Sequence, residues 1–189
     1  MSTHIVAING SLRAHSRTEH VAKTALRGAM QPGITTELIN LYKLNLPVFD
    51  NRVNTESYPP GVQHFLGQMR DASGFIFVTP VYHGTMSGAF KNALDFLYLV
   101  DPEVYQGKVV GLVSVAGGAM SVNTINTLDY IARALHLWRT PTTVAVSGDA
   151  ITSDGELCNP DIIRRLQNVG REVSQAAQLL LDTAISNHR

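Results

Sequence analysis

Short apolar runs alternate along this chain with longer segments in which apolar residues return every three or four positions. The runs at residues 5–8 and 75–78 are apolar throughout, as in strands that are buried on both faces of a sheet. The longer segments have the spacing of helices with one buried side. Strands are therefore predicted at residues 5–8, 36–41, 75–78, 109–115 and 143–146. Helices are predicted at about residues 17–31, 59–72, 87–99, 125–135 and from Asn159 onward.

A helix between each pair of strands predicts an α/β fold, with a parallel sheet covered by helices on both faces. Five strands fit a flavodoxin-like three-layer sandwich of strand order 2-1-3-4-5 better than a six-stranded dinucleotide fold. The chain has no internal repeat or linker, so residues 1–189 are expected to form one domain. In the predicted order, the loops after strands one, three and four share the edge where ligands bind in such sheets.

The charge balance narrows the possible partners. Fifteen basic residues match fifteen acidic ones, whereas a binder of nucleic acid or anionic membranes needs a positive field. The single cysteine, Cys158, excludes an intrachain disulfide. No apolar stretch approaches the roughly 20 residues of a membrane helix, and the first residues do not read as a secretory leader. A cytoplasmic protein without nucleic-acid or membrane partners is therefore expected.

The segment of residues 9–18 connects the first predicted strand to the first predicted helix. At such a position, backbone N–H groups and the helix dipole favour an anion, while hydroxyl and guanidinium groups add donors. The segment matches neither the Walker motif nor GxGxxG, and an ordinary turn with a serine cap explains it equally well. The candidate phosphate ligands are Ser11, Arg13, Ser16, Arg17 and Thr18.

Two further loops at the same predicted edge have unusual compositions. Residues 79–88 contain Gly84, which permits the close approach of a flat ligand. Residues 114–121 contain the pair Gly117-Gly118 after a buried strand, where backbone can reach a ligand edge. Each loop alone is as well explained by chain turning. Three such loops at one edge favour a site for a planar heterocycle with a phosphate tail.

The motifs in these loops resemble those of the NADPH-dependent FMN reductase family, which has a flavodoxin-like fold. That family includes flavin reductases, FMN-dependent azoreductases and quinone reductases. The most specific part of the resemblance runs from Pro80 to Asp95. The matching segments are residues 10–18, Leu46-Pro47-Val48-Phe49-Asp50, Thr79-Pro80-Val81-Tyr82-His83-Gly84, Ser87-Gly88-x-x-Lys91-Asn92-Ala93-Leu94-Asp95 and Gly117-Gly118.

The resemblance implies an FMN-binding oxidoreductase that takes hydride from NADPH or NADH and passes electrons to a small-molecule acceptor in a ping-pong sequence. It implies no catalytic side chain and no metal. Many relatives have Glu-Tyr-Asn where this chain has Val81-Tyr82-His83, which removes any side-chain amide role at position 83. The resemblance implies that the phosphate is held by Ser11, Arg13, Ser16 and Thr18, with Arg17 as a further candidate. It implies that the ring system is surrounded by Pro80, Val81, Tyr82, His83, Gly84, Gly117 and Gly118.

Two other functions fit the same fold. A flavodoxin-like electron carrier would use FMN without turning over NAD(P)H, and a non-catalytic FMN-binding module would only sense the cofactor. Carriers of that kind are usually acidic, whereas this chain has no net charge. The resemblance also implies a homodimer or homotetramer. The acceptor, for which flavins, quinones and azo compounds are all candidates, is left open by the sequence.

Overall fold

The computed structural model describes residues 2–52, 54–117, 121–152 and 154–186. Five parallel strands form its central sheet: β1 (Thr3–Asn9), β2 (Ile34–Asn40), β3 (Gly74–Tyr82), β5 (Val109–Val115) and β6 (Trp138–Val146). Their spatial order is β2-β1-β3-β5-β6, and a two-residue strand, β4 (Thr85–Met86), pairs antiparallel with the end of β3. The predicted flavodoxin-like order of the five parallel strands is confirmed, with one short strand added.

Helices cover both faces of the sheet. One face carries α1 (Arg17–Ala29) and the long α6 (Pro160–Ser186), whose buried side chains form one core cluster with the sheet. The other face carries α3 (Pro60–Asp71), α4 (Gly88–Asp95) and α5 (Ser121–Ala134), which form a second cluster. A single turn of helix, α2 (Leu41–Leu44), follows β2. The sheet is therefore apolar on both sides, which explains the uninterrupted apolar runs of β1 and β3.

Several element boundaries differ from the predictions. Strand β2 begins at Ile34 and ends before Leu41, because Leu41 starts the short helix α2. Helix α1 ends at Ala29, ahead of the Pro32-Gly33 turn. Helix α4 ends at Asp95, and the chain continues to Leu99 as a tighter 3-10 turn. The fifth parallel strand starts at Trp138, five residues earlier than predicted.

The early part of β6 escaped prediction because it lies at the open edge of the sheet. Trp138 and Arg139 are exposed there, so the alternation of a half-buried strand is lost. The edge is closed to further strands by the protein's own side chains. Pro141 offers no N–H, Glu172 accepts the amide of Thr142 at 3.0 Å, and Arg165 donates to the carbonyl of Thr143 at 3.0 Å.

Candidate functional site

The three predicted ligand loops meet at the carboxyl end of the sheet, where β1, β3 and β5 lie side by side. They enclose an open cleft of about 260 Å³. Because the chain crosses from β1 to β2 on one side and from β3 to β5 on the other, this is the switch point of the sheet. The cleft is lined by Ser11, Arg13, Ser16, Arg17, Thr18, Pro80, Val81, Tyr82, Val115, Ala116 and Gly117.

The loop between β1 and α1 presents buried hydroxyl groups to the cleft. Ser11 is 2% exposed, Ser16 is 5% exposed and Thr18 is 3% exposed. Ser16 is the N-cap of α1, and its Oγ accepts the amide of Glu19 at 3.1 Å. Ser11 Oγ accepts the amide of Arg13 at 3.2 Å. Both serine oxygens act as acceptors in these bonds, so each keeps its O–H for donation to an anion.

Arg13 and Arg17 flank these hydroxyls and are exposed at the mouth of the cleft. The N-terminus of α1 also faces the cleft, since Arg17 and Thr18 are its first two residues. Backbone dipoles, hydroxyl donors and two guanidinium groups thus converge at one end. This combination favours an anion of phosphate size.

A buried carboxylate fixes the shape of this loop. Glu19, 4% exposed, accepts the amide of His15 at 3.0 Å and forms an ion pair with Lys23 at 2.8 Å. Burial alone would raise the pKa of Glu19, but the hydrogen bond and charge of Lys23, with the His15 amide, outweigh it and hold that pKa below its usual value. His15 itself adopts a positive φ of 52° and is exposed. Its backbone, more than its ring, therefore has the structural role in the loop.

The second loop is a tight hairpin. Tyr82 pairs with Thr85 across a two-residue turn, His83-Gly84, in which both residues have positive φ, 51° and 82°. Two positive φ angles match the twist of the flanking strands, and Gly84 meets this demand without a steric cost. Strand β4 was not predicted from the sequence. The His83-Gly84 dipeptide was the available signal for a two-residue hairpin turn, although Asn-Gly is the commoner sequence in such turns. Tyr82 stays 49% exposed beside the cleft.

The third loop begins at Gly117, which lies in the wall of the cleft, whereas Gly118 lies outside the described residues. Behind Gly117 lies the turn after β6. A β-carbon built on Gly148 would stand 2.8 Å from the carbonyl oxygen of Gly117. In the same turn, Asp149 is hydrogen-bonded to the Ser147 hydroxyl, and this bond lowers the pKa of its carboxyl group. The turn after β6 therefore supports the cleft from outside.

The long connection after β2 is tied to helix α4. Asn92 accepts the amide of Phe49 at 2.8 Å and donates to the carbonyl of Pro47 at 2.8 Å. Asp50 does not face the cleft: Arg52 and the hydroxyl of Tyr58 hold it, and both hydrogen bonds lower the pKa of its carboxyl group.

Nine of the twelve predicted site residues line a single cleft. Of the remaining three, His83 and Gly84 form the hairpin turn beyond Tyr82, and Gly118 falls outside the described residues. The sequence did not single out Val115 and Ala116, whose apolar side chains give no chemical signal. Cys158 is exposed, and its Sγ lies 3.7 Å from the carbonyl oxygen of Asp149. It does not line the cleft.

Comparison with known proteins identifies the family. The sequence model of the NADPH-dependent FMN reductase family matches residues 3–150. An NADPH azoreductase of Bacillus sp. (strain OY1-2) is 30% identical over 154 residues, which cover 81% of this chain and 81% of the azoreductase. The NAD(P)H-dependent FMN reductase of Pseudomonas aeruginosa is 30% identical over 114 residues, and the match spans only 60% of either protein.

Two solved structures have the same fold. RosB, crystallised with the bound intermediate 8-demethyl-8-formylriboflavin-5′-phosphate, superposes with a TM-score of 0.78 at 18% identity, covering 96% of this chain and 81% of RosB. The flavoenzyme FerB of Paracoccus denitrificans, an NAD(P)H:(acceptor) oxidoreductase, gives a TM-score of 0.73 at 18% identity, covering 94% of this chain and 98% of FerB. At this identity, both structures bear on the fold alone.

Within the described part of the chain, no helix combines the length and hydrophobicity that spanning a bilayer requires. The family match covers β1 through the turn after β6 and includes all three loops of the cleft. It confirms the resemblance drawn from the loop motifs, and with it the expected class of FMN- and NADPH-dependent oxidoreductases at the level of the family. The chain belongs to the NADPH-dependent FMN reductase family.

Proposed function

We propose that this protein is an NAD(P)H-dependent FMN oxidoreductase that passes electrons from the nicotinamide to a small-molecule acceptor. The observation that carries the proposal is the convergence of two unlike surfaces in one cleft. Buried hydroxyls, two arginines and a helix N-terminus lie at one end, and strand ends with a hairpin lie at the other. A molecule with a single phosphate and a flat ring system matches both ends.

The residues present fit FMN. Ser11, Ser16 and Thr18 would donate hydroxyl hydrogen bonds to the phosphate, and Arg13 and Arg17 would supply charge. FMN has one phosphate, which a single loop can bind. This agrees with the absence of the GxGxxG and Walker motifs, which bind dinucleotides and triphosphates.

At the ring end of the cleft, we propose that the ligand is held mainly through backbone groups. Pro80, Val81 and Tyr82 would contact the isoalloxazine ring on one side, continuing into His83 and Gly84, and Gly117 would lie at another edge together with Gly118. Backbone N–H groups of the hairpin would act there as preorganised donors, which stabilise negative charge as it develops. The departure of position 83 from asparagine to histidine leaves these backbone donors in place.

Bound FMN would supply the hydride chemistry of the reaction. The chain would bind and orient its substrates, and no side chain of the cleft is required as an acid or base. The cleft is open to solvent, so nicotinamide and acceptor would use the same face in turn, which predicts ping-pong kinetics. We propose as acceptors the compounds named for the relatives, namely azo compounds, quinones and flavins.

The decisive experiment uses anaerobic stopped-flow spectroscopy of the purified protein loaded with FMN. Addition of NADPH or NADH is expected to bleach the flavin absorbance, and a quinone or an azo dye is expected to restore it. A panel of acceptors then ranks substrates. If the protein binds flavin but neither nucleotide bleaches it, the protein is an electron carrier or a non-catalytic FMN-binding module and not the proposed enzyme. Protein that binds no FMN would contradict all three.

We further propose that the protein forms a homodimer or a homotetramer through the surface beside α4. Leu12 is 63% exposed, and Val48 and Tyr98 are each 82% exposed. Leu12 and Val48 line a second, largely apolar cleft of about 770 Å³, and Tyr98 stacks on Phe49 next to it. Light scattering is expected to give the mass of two or four chains, and Val48→Asp is expected to lower that mass. A monomer at all concentrations would contradict the proposal.

A further inference from the structure

Ser87 links two loops of the cleft that are far apart in the chain. Ser87 is 2% exposed, and its hydroxyl donates a 2.7 Å hydrogen bond to the carbonyl of Gly10, 77 residues away. The same oxygen accepts the amide of Phe90 at 3.1 Å, which makes Ser87 the N-cap of α4. A single buried side chain thus joins the start of the 10–18 loop to the helix that follows the hairpin.

Neighbouring hydrogen bonds and packing hold Ser87 and Gly10 in place. The amide of Ser87 donates to Thr79 Oγ1 at 3.1 Å, and Thr79 is fully buried in β3. The amide of Gly10 donates to the carbonyl of Val78 at 2.8 Å. Gly10 also packs closely, since a β-carbon there would lie 2.8 Å from the ring of Phe90. The end of β1, the end of β3 and the start of α4 therefore meet at one point.

Ser87 does not position the individual ligand-binding groups at either end of the cleft. Ser87 does not line the cleft, and the hairpin His83-Gly84 closes through the pairing of Tyr82 with Thr85. The hydroxyls of Ser11 and Ser16 are placed by bonds within their own loop and helix. The Ser87–Gly10 bond acts instead on the position of one loop relative to the other, together with the bond from the Gly10 amide to the Val78 carbonyl.

We infer that Ser87 is a positioning residue which sets the spacing between the phosphate loop and the ring-binding hairpin, so that a ligand with both a phosphate and a flavin ring is bound in one step. This inference rests on the proposed function. A ligand that spans both loops gains from a fixed spacing, because binding at one end places the other end at its site. A ligand that contacts only the hairpin gains nothing from it.

The test compares FMN with riboflavin, which has the same ring system without the phosphate. Binding is measured by fluorescence titration for the unchanged protein, Ser87→Ala and Ser87→Thr. Ser87→Ala is expected to weaken FMN binding about tenfold, the size of one lost buried hydrogen bond, and to change riboflavin binding less than about twofold. Ser87→Thr keeps the hydroxyl and is expected to restore most of the FMN affinity.

Asn159→Ala is the matched control, because Asn159 Oδ1 caps α6 by accepting two amides at 3.0 and 3.2 Å and does not line the cleft. It removes a cap of the same kind and is expected to leave both affinities unchanged. If Ser87→Ala fails to fold, Ser87→Cys, which is nearly isosteric and a weak donor, takes its place. Equal weakening of FMN and riboflavin, or no weakening of FMN, would overturn the inference. Failure of the unchanged protein to bind FMN would instead contradict the proposed function.

Discussion

Gly148 packs directly against Gly117, so that a β-carbon on Gly148 would lie 2.8 Å from the carbonyl oxygen of Gly117. That distance is shorter than side chains tolerate, and the obstacle is backbone. The turn after β6 therefore determines where the third loop of the cleft can lie. Only a residue without a side chain permits this arrangement.

Gly148→Ala tests this relationship. We expect it to lower the free energy of unfolding by about 1–3 kcal/mol, as overpacking does, and to weaken FMN binding because Gly117 must move. Urea unfolding and flavin titration measure the two effects. The control is Gly67→Ala in α3, where a β-carbon meets nothing within 4 Å. Because glycine inside a helix is unfavourable, that change is expected to stabilise the protein by about 0.5–1 kcal/mol. Equal effects of the two substitutions would contradict the steric explanation.

Arg13→Ala tests the proposed phosphate end of the cleft. Loss of a charged hydrogen bond is expected to weaken FMN binding by about 1.5–3 kcal/mol, while riboflavin binding stays unchanged because riboflavin has no phosphate. Isothermal titration with both ligands gives the comparison. Arg27→Ala removes an exposed arginine in the last turn of α1, the helix that follows the loop of Arg13, and should change neither affinity. Unchanged FMN affinity in Arg13→Ala would remove Arg13 from the site.

The carboxylate of Glu19 makes the stability of the protein depend on pH. Its pKa in the folded protein lies below the usual 4.5, so its contribution to stability is complete above that pH and is lost as the pH falls through the lowered pKa. The difference in unfolding free energy between the unchanged protein and Glu19→Gln is therefore expected to be constant at neutral pH and to shrink below pH 4.5. Urea unfolding over a pH series measures it.

Lys23→Gln provides the companion variant, because it removes an ion pair that lowers the pKa of Glu19. In this background, the pKa of folded Glu19 moves up toward its usual value, so the loss of stability on acidification is expected to be smaller. If the unfolding free energy of the unchanged protein instead rises relative to that of Glu19→Gln on acidification, the ionised Glu19 carboxylate destabilises the folded protein.

Asn92 is expected to hold the connection after β2 on helix α4. Asn92→Ala removes both the acceptor for Phe49 N–H and the donor to the Pro47 carbonyl, and about 1–3 kcal/mol of stability should be lost with the two bonds. Hydrogen exchange of the Phe49 amide should become faster. Asn92→Asp keeps the acceptor but not the donor, so the Phe49 amide should stay protected. Fast exchange in both variants would mean that the carboxylate cannot replace the amide oxygen.

The sequence was sufficient for the fold because the apolar pattern is unambiguous where strands are buried on both faces. Runs such as Phe75-Ile76-Phe77-Val78 have a single favourable environment, and their alternation with helices restricts the topology to few choices. The pattern was insufficient at the open edge, where Trp138 and Arg139 face solvent, and at β4, whose two residues carry no periodicity. Strand length at an edge depends on neighbours that a local pattern does not reveal.

The sequence by itself determined the parts of the candidate site. The hydroxyls and arginines of residues 11–18, the strand-end hairpin and Gly117 were all legible as local chemistry, and their family resemblance followed from them. Only the tertiary structure decided how those parts are held together. The bond from Ser87 to Gly10 and the contact of Gly148 with Gly117 join positions that are distant in the chain. Such contacts arise from the packing of the sheet and its loops, so the residues that make them carry no local signal of their purpose.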